Sequence, residues 1–134
     1  MEKTTEEILA DPNVPESDKE LYQILIRKVV PGQLYRHMVL FKFTDVSEAE
    51  QAVCMEACAA LEHLCGGKEA GILSYKVERN FDTRKSWYWA EIVEFSNLDA
   101  FIQFHQHDEH KKFAGMLREF GVGVRVEWAV FDYQ

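Results

Sequence analysis

The sequence has no long hydrophobic run. No apolar stretch approaches the roughly 18 residues that a membrane-spanning helix needs. The first ten residues are polar and acidic, and they lack the charged-then-apolar order of a secretory signal. We therefore expect a cytoplasmic protein that does not contact a membrane.

Positive charge is scarce, because 15 lysines and arginines stand against 23 acidic residues, giving a formal net charge of −8. The basic residues form no run or stripe along the chain. Proteins that bind nucleic acids or anionic membranes do so through clustered lysine and arginine. Neither nucleic acid nor a membrane is expected as a partner.

Cysteines and glycine-rich motifs are also few. The three cysteines, Cys54, Cys58 and Cys65, lie on one predicted helix at spacings that favour burial as small hydrophobic residues. Phosphate-binding glycine loops, serine-nucleophile elbows and dinucleotide fingerprints are absent. The sequence therefore predicts a reducing compartment and no redox or nucleotide cofactor.

The chain of 134 residues is 47% hydrophobic, enough for one domain with its own core. Prolines and the Pro31-Gly32 pair interrupt residues 1–34 and leave room for one helix, over 16–30. We predict that residues 1–34 form an N-terminal helical extension. The main domain is predicted to cover residues 35–134.

The main domain alternates short apolar segments with helical ones. Strands are predicted over 36–44, 71–80, 87–95 and 124–133, and helices over 47–65, from 98 onward, and over 108–120. The order strand–helix–strand–strand–helix–strand is the split βαβ arrangement of an α+β ferredoxin-like fold. The sequence therefore predicts this fold class.

The first predicted strand is apolar on both faces, so both faces need a cover. We expect helices on one face and a second copy of the chain on the other, which makes the protein a homodimer. The candidate interface residues are Met38, Leu40, Tyr88, Ala90 and Ile92.

Three segments, in this order, carry a family resemblance: residues 36–43 (RHMVLFKF), 107–113 (HDEHKKF) and 130–133 (VFDY). Together they resemble the stress-responsive dimeric α/β barrel (Dabb) family over roughly residues 35–134. The resemblance implies a ferredoxin-like protomer that pairs sheet to sheet into a dimeric α+β barrel.

The family includes proteins without known chemistry as well as a plant polyketide cyclase and a plant hydroxynitrile lyase. In the cyclase, a histidine at the position of His110 is the proposed base, and a tyrosine six residues earlier helps it. Here that earlier position is Phe104, which has no hydroxyl, and Trp89 replaces a cyclase histidine. These differences argue against the cyclase substrate.

Two histidines are predicted to face the interface between sheet and helices. His110 shares a helical face with Phe113 and Leu117, and His37 shares a strand face with Val39. Imidazole titrates near neutral pH, so the pair would make a general base and its orienting partner. The alternative is that both are core histidines bonded to backbone carbonyls.

Glu91 is the second candidate for chemistry, because it is an acid on the predicted buried face of its strand. Its predicted partner is His37 or Arg125. The residues predicted to bind a flat ligand are Trp89, Phe104, His107 and Phe113, with core packing as the alternative for the aromatic ones.

The spacing of His105, His107 and His110 could gather a metal ion. A stable zinc site needs about three or four good ligands, and no second cluster supplies them. We therefore predict no metal, with His107 capping the last helix and His105 solvated.

These observations lead to one hypothesis and two alternatives. The hypothesis is a small cofactor-free enzyme or ligand-binding protein, in which His110 acts on a small carbonyl or aromatic ligand by aldol-type cyclisation or lyase chemistry. One alternative is a non-catalytic, stress-responsive dimeric barrel. The other is a cofactor-independent monooxygenase, for which no distinguishing motif is present. A cavity that reaches His110 would favour the first.

Overall fold

The computed structural model describes residues 3–84, 87–120 and 125–134. The elements in chain order are α1 (Thr5–Ala10), α2 (Glu16–Lys28), β1 (Tyr35–Phe43), α3 (Glu48–Leu64), a 3-10 turn (Gly67–Ala70), β2 (Ile72–Arg79), β3 (Trp89–Phe95), α4 (Leu98–Gln106), α5 (Asp108–Glu119) and β4 (Val126–Tyr133). Residues 85, 121, 123 and 124, which belong to a predicted turn and to the predicted entry into the last strand, lie outside the described residues.

The four strands form one antiparallel sheet in the order β2-β3-β1-β4. Alternate residues of β1 are buried on the face that the helices cover, beginning with Tyr35 and His37. This sheet order and the helices between the strands confirm the predicted α+β ferredoxin-like fold. Because β1 is central, a side chain on its helix-covered face meets neighbours from both β3 and β4.

Helix α3 is capped at its N-terminus by Ser47, whose side chain accepts a hydrogen bond from the backbone nitrogen of Glu50. All three cysteines are buried, as predicted. Helical spacing in the sequence predicts an inward stripe of Val53, Cys54, Ala57, Cys58, Leu61 and Leu64. Two of these positions are wrong, because Val53 and Leu64 are 59% and 51% exposed. The helix turns a different stripe inward, namely Gln51, Cys54, Met55, Cys58 and Leu61.

The extension contains two helices, whereas the sequence predicted one. The additional helix, α1, begins with a capping box in which Thr4 and Glu7 satisfy each other's backbone. Helix α2 is anchored by Tyr22, which is fully buried. The helical spacing of Leu21, Ile24 and Leu25 predicts that these residues pack on the main domain. For Ile24 this is wrong, because α2 presents its Tyr22 side to α4 and leaves Ile24 exposed.

The end of the extension is fastened to the end of the main domain. The side chain of Gln134 accepts a hydrogen bond from the backbone nitrogen of Val30 at 2.8 Å and donates one to its carbonyl oxygen at 3.1 Å. The chain then turns at Gly32, whose φ of +80° suits glycine, and enters β1. Residue 30 is therefore held beside β4.

The sheet face away from the helices is apolar in its middle. Antiparallel pairing places Met38 opposite both Ile92 and Phe131, and Leu40 opposite Ala90 and a further alanine of β4. Phe131 is 65% exposed in the single chain. This face has the composition of a surface that a partner covers.

No described helix is both long and apolar enough to cross a membrane. The predicted cytoplasmic location and the predicted boundary after residue 34 stay predictions.

Candidate active site

A cavity of about 180 Å³ opens between the sheet and α5. Its apolar wall consists of residues from β1, α5 and β4, including Phe41, Phe113, Leu117 and Trp128. Its polar groups are His37, Glu91, His105, His110 and Arg118. Five polar side chains, four of them histidine or glutamate, around one small apolar space form the strongest candidate site in the described part of the chain.

The strand side of the cavity is built by the pairing of β1 with β4, which places Asp132 directly opposite His37. Nδ1 of His37 donates a hydrogen bond to Oδ1 of Asp132 at 2.6 Å. The hydroxyl of Tyr35 donates to Oδ2 of the same carboxylate at 2.7 Å. Burial, together with this carboxylate, raises the pKa of Tyr35, so its hydroxyl keeps its proton. Asp132 therefore holds the His37 ring in a fixed orientation.

Glu91 lies on the other side of His37, with its Oε1 3.8 Å from Nε2 of the ring. The second carboxylate oxygen of Glu91 is hydrogen-bonded by the hydroxyl of Tyr75 and is 3.5 Å from the Cys58 sulfur. Burial and the nearby carboxylate raise the pKa values of Tyr75 and Cys58, so both remain protonated donors. The result is a buried row of carboxylate, imidazole and carboxylate.

The helix side of the cavity depends on the break between α4 and α5. His107 ends α4 and caps α5, accepting a hydrogen bond at its Nδ1 from the backbone nitrogen of Glu109 at 3.1 Å. The break brings the rings of His105 and His110 within 5.3 Å, centroid to centroid. The edge of the His110 ring also packs against Phe104, at 4.9 Å and an interplanar angle of 70°.

His110 is a neutral imidazole. Burial lowers its pKa to about 3, and the nearby rings of His105 and His37 add to this effect. Neither of its ring nitrogens bonds to a described side chain, and no fully buried side-chain nitrogen or oxygen in residues 3–84, 87–120 and 125–134 lacks a partner. The ring nitrogens of His110 are therefore not fully buried, and His110 lines the cavity, where a ligand could reach them.

His105 was predicted to be solvated, and this was wrong. Its ring stacks on Phe101, with centroids 5.5 Å apart and an interplanar angle of 27°. Its Nδ1 bonds to the hydroxyl of Tyr22 from the extension. The ring is half-buried because α2 covers this part of α4, and burial lowers the pKa of His105.

Four residues predicted from the sequence line the cavity: His37, Glu91, His110 and Phe113. Of the two predicted partners of Glu91, His37 is the one that lies beside it. Arg125 instead donates a hydrogen bond to the backbone oxygen of Asp45 at 2.7 Å. The catalytic roles of these residues stay predictions.

Three predicted ligand-binding residues lie outside the cavity. The indole nitrogen of Trp89 donates to Oε1 of Gln51 at 3.1 Å, which turns the ring toward α3. Phe104 is buried in the core, and both it and the capping His107 border a second cavity, of about 500 Å³, beneath α1. The placement of His107 follows from the break between α4 and α5, which directs His110 and not His107 toward the sheet.

Sequence reasoning missed three residues of the site. Asp132 could have been found from alternation, because it continues the inward face of Val126, Trp128 and Val130. Tyr22 could have been found from its helical spacing to the partly buried Leu25 and Val29. The inward direction of His105, the third of these residues, follows from its position one turn after a buried phenylalanine.

Among the described residues, no group of three or more His, Cys, Asp or Glu side chains is arranged to hold a metal ion.

Comparison with known families supports the resemblance drawn from the motifs. The family model described as Stress Responsive A/B Barrel Domain (Dabb) matches residues 35–134. The chain belongs to the Dabb family. The match does not include residues 1–34, so Tyr22 comes from outside the Dabb domain.

Solved structures show the same fold. A dimeric protein of unknown function with a ferredoxin-like fold from Bacteroides fragilis is 29% identical, with 75% of this chain and 95% of that chain covered and a TM-score of 0.61. A dimeric ferredoxin-like protein from Thermobifida fusca is 15% identical, with 79% and 94% covered and a TM-score of 0.62. A search of curated proteins gives no match.

A third solved structure is the hydroxynitrile lyase of Passiflora edulis. It is 16% identical, with 77% of this chain and 94% of that chain covered and a TM-score of 0.60. Dabb-like folds therefore occur both in an enzyme and in proteins of unknown function.

Proposed function

We propose that this Dabb protein is a small cofactor-free enzyme that makes or breaks a carbon–carbon bond beside a carbonyl group. One observation carries the proposal: the free imidazole of His110 and the carboxylate-flanked imidazole of His37 face the same small apolar cavity. A pair of titratable groups in contrasting environments is typical of acid–base catalysis.

In the proposed mechanism, His37 is the base. Asp132 holds Nδ1 of His37 and stabilises the imidazolium that forms when Nε2 takes a proton. His110 acts as the hydrogen-bond partner of the ligand, because a ring with a pKa of about 3 is a weak base. This assignment differs from the one that the family resemblance implies, in which His110 is the base.

In a retro-aldol cleavage, His37 removes the proton of a hydroxyl group on the carbon β to a carbonyl. The carbon–carbon bond breaks, the hydroxyl carbon becomes a new carbonyl, and the electron pair passes to the other fragment as an enolate. Neutral imidazole N–H groups hydrogen-bond the enolate oxygen, and His37 returns its proton to carbon. Ring closure by an aldol step is the reverse reaction.

The cavity favours a small ligand. Its volume of about 180 Å³ lies below the roughly 300 Å³ at which sites for drug-sized ligands begin. Phe41, Phe113 and Trp128 provide an apolar wall, which suits an aromatic or aliphatic body. The neutral rings of His105 and His110 on the helix side provide hydrogen-bonding groups for a carbonyl oxygen. A cyanohydrin fits the same requirements and is the substrate class implied by the lyase neighbour.

Turnover of two probes tests the proposal: mandelonitrile, followed by benzaldehyde release, and diacetone alcohol, followed by acetone release. We expect cleavage above the buffer rate for at least one probe. His37→Ala and His110→Ala should each reduce it roughly 10²–10⁴-fold while the fold is kept. Wild-type rates in both variants, or no turnover of either probe, would favour the non-catalytic barrel.

We also propose that the protein is a homodimer through the apolar sheet face that contains Met38, Ile92 and Phe131. The two dimeric ferredoxin-like neighbours support this assembly. Light scattering should show a dimer for the wild type and for Lys112→Glu on the exposed side of α5, but a monomer for Ile92→Lys. A wild-type monomer at micromolar concentration would contradict it.

A further inference from the structure

A chain of hydrogen bonds links the extension to the cavity. The carboxylate of Asp18 accepts from Nε2 of Gln106 at 3.0 Å. The same amide nitrogen lies 2.6 Å from the hydroxyl oxygen of Tyr22. That hydroxyl in turn bonds to Nδ1 of His105, a residue that lines the cavity. Asp18 and Tyr22 belong to α2, whereas Gln106 and His105 belong to α4.

The directions of these bonds follow from the first acceptor. A carboxylate can only accept, so the amino group of Gln106 must face Asp18. The second hydrogen of that amino group then points to the Tyr22 oxygen, which accepts it. The single proton of the Tyr22 hydroxyl is left for Nδ1 of His105. Nδ1 is therefore an acceptor, and the proton of the neutral ring is on Nε2.

The opposite arrangement, with the proton on Nδ1, is disfavoured. The Tyr22 oxygen would then accept two hydrogen bonds, and its own proton would have no partner although the residue is fully buried. Burial lowers the pKa of His105 and raises the pKa of Tyr22, so the ring is neutral and the phenol keeps its proton.

Nε2 of His105 has no hydrogen-bond partner in the described part of the chain. In that part of the chain, every fully buried side-chain nitrogen has a hydrogen-bond partner. Nε2 is therefore not fully buried, and His105 lines the cavity that it shares with His37 and His110. We propose that Tyr22 is a positioning residue that keeps the proton of His105 on Nε2 and so presents an N–H donor to the ligand.

This inference rests on the proposed function for the use of the donor, which is to bind the oxygen that becomes an enolate. It also assigns a task to the extension. Residues 1–34 lie outside the Dabb match, yet they supply the hydroxyl that orients a ring of the cavity. The donor is charge-neutral before and after the step, so it stabilises the developing charge without taking the proton that His37 carries.

The first experiment reads the tautomer directly. In the full-length protein at neutral pH, ¹⁵N–¹H spectra of labelled histidine should show His105 protonated on Nε2 and unprotonated on Nδ1, with the signals assigned from His105→Asn. Tyr22→Phe should remove the hydrogen-bond shift of Nδ1 and give a mixture of tautomers. Leu25→Ala, on the same helix but without the hydroxyl, should leave the His105 signals unchanged. A wild-type ring protonated on Nδ1, or a cationic ring, would overturn the inference.

The second experiment separates positioning from structure. With mandelonitrile as the probe, Tyr22→Phe should lower kcat roughly tenfold to a hundredfold with little change in KM. This loss is no larger than the roughly 10²–10³-fold loss in kcat that follows deletion of a whole oxyanion donor. Leu25→Ala should retain kcat. An unchanged kcat in Tyr22→Phe would overturn the positioning role even if the tautomer is as expected. Failure of the proposed function would look different: His37→Ala would retain wild-type turnover while the tautomer result stood.

Discussion

The two sides of the cavity use the same residue type for different chemistry. On the strand side, His37 lies between Asp132 and Glu91, and its Nδ1 is hydrogen-bonded. On the helix side, His105 and His110 lie among aromatic rings, and burial lowers the pKa values of both. The role of each histidine therefore follows from its partners. Strand register sets these partners on the strand side of the cavity, and the break between α4 and α5 sets them on the helix side.

Removing Asp132 should have the largest effect on stability, because its carboxylate is the hydrogen-bond acceptor for both His37 and Tyr35 on the strand side of the cavity. Asp132→Ala leaves Nδ1 of His37 and the hydroxyl of Tyr35 without a partner. We expect the free energy of unfolding to fall by about 3–5 kcal/mol, as for other broken buried pairs. Chemical denaturation would measure it.

Glu127→Ala is the matched control for this variant. Glu127 lies on the same strand but on the opposite face, where it is exposed and 3.6 Å from Lys42. Its loss should cost less than about 1 kcal/mol. Equal losses in the two variants would show that Asp132 does not hold the site together.

A chain that begins at Gln33 would break the helix side and leave the strand side intact. Removing the buried Ile8, Val14 and Tyr22 should cost about 2–4 kcal/mol, since their burial is offset by the ordering of the extension. Chemical denaturation of the truncated and the full-length chain would measure the loss in the free energy of unfolding. Histidine NMR should show changed signals for His105 and an unchanged hydrogen bond between His37 and Asp132. Unfolded or insoluble protein would show instead that the extension belongs to the core.

The pH dependence of stability should report the helix side. Because the pKa of His110 is depressed in the folded protein, the unfolded chain binds more protons below its ordinary value, and stability is lost as the pH falls. We expect a loss of about 2 kcal/mol between about pH 7.5 and about pH 5 from this ring. Denaturation at a series of pH values would measure it.

His110→Asn is the control for this prediction, since asparagine does not titrate and the pH profile should become flatter. A wild-type profile without slope in this window would mean that His110 is not held neutral by burial.

The smallest expected effect is that of Trp89→Phe. The variant loses the hydrogen bond to Gln51, which should cost about 1 kcal/mol. Turnover of mandelonitrile should not change, because the ring lies outside the cavity. Thermal melting and the turnover assay would be measured together. A large loss of turnover would restore Trp89 to the ligand site.

The fold and half of the site could be predicted from the sequence because they depend on local periodicity. Alternation in β1 placed His37 inward, and helical spacing to Phe113 did the same for His110. Alternation gives the inward direction of Asp132, but its bond to His37 depends on the register of β4 against β1, which joins residues 95 positions apart. Helical spacing gives the buried side of Tyr22, but no local pattern of α2 identifies α4 as its neighbour.

The fastening of Val30 to Gln134 has a consequence for how Tyr22 reaches His105. Two hydrogen bonds hold residue 30 in place, so α2 binds α4 as an intramolecular ligand. Only the conformations of the segment from residue 22 to residue 30 separate the bound Tyr22 from the unbound one. Tethering by a short segment gives effective concentrations of about the millimolar order. A free peptide of residues 3–30 would have to approach such concentrations before it could replace the extension in the chain that begins at Gln33.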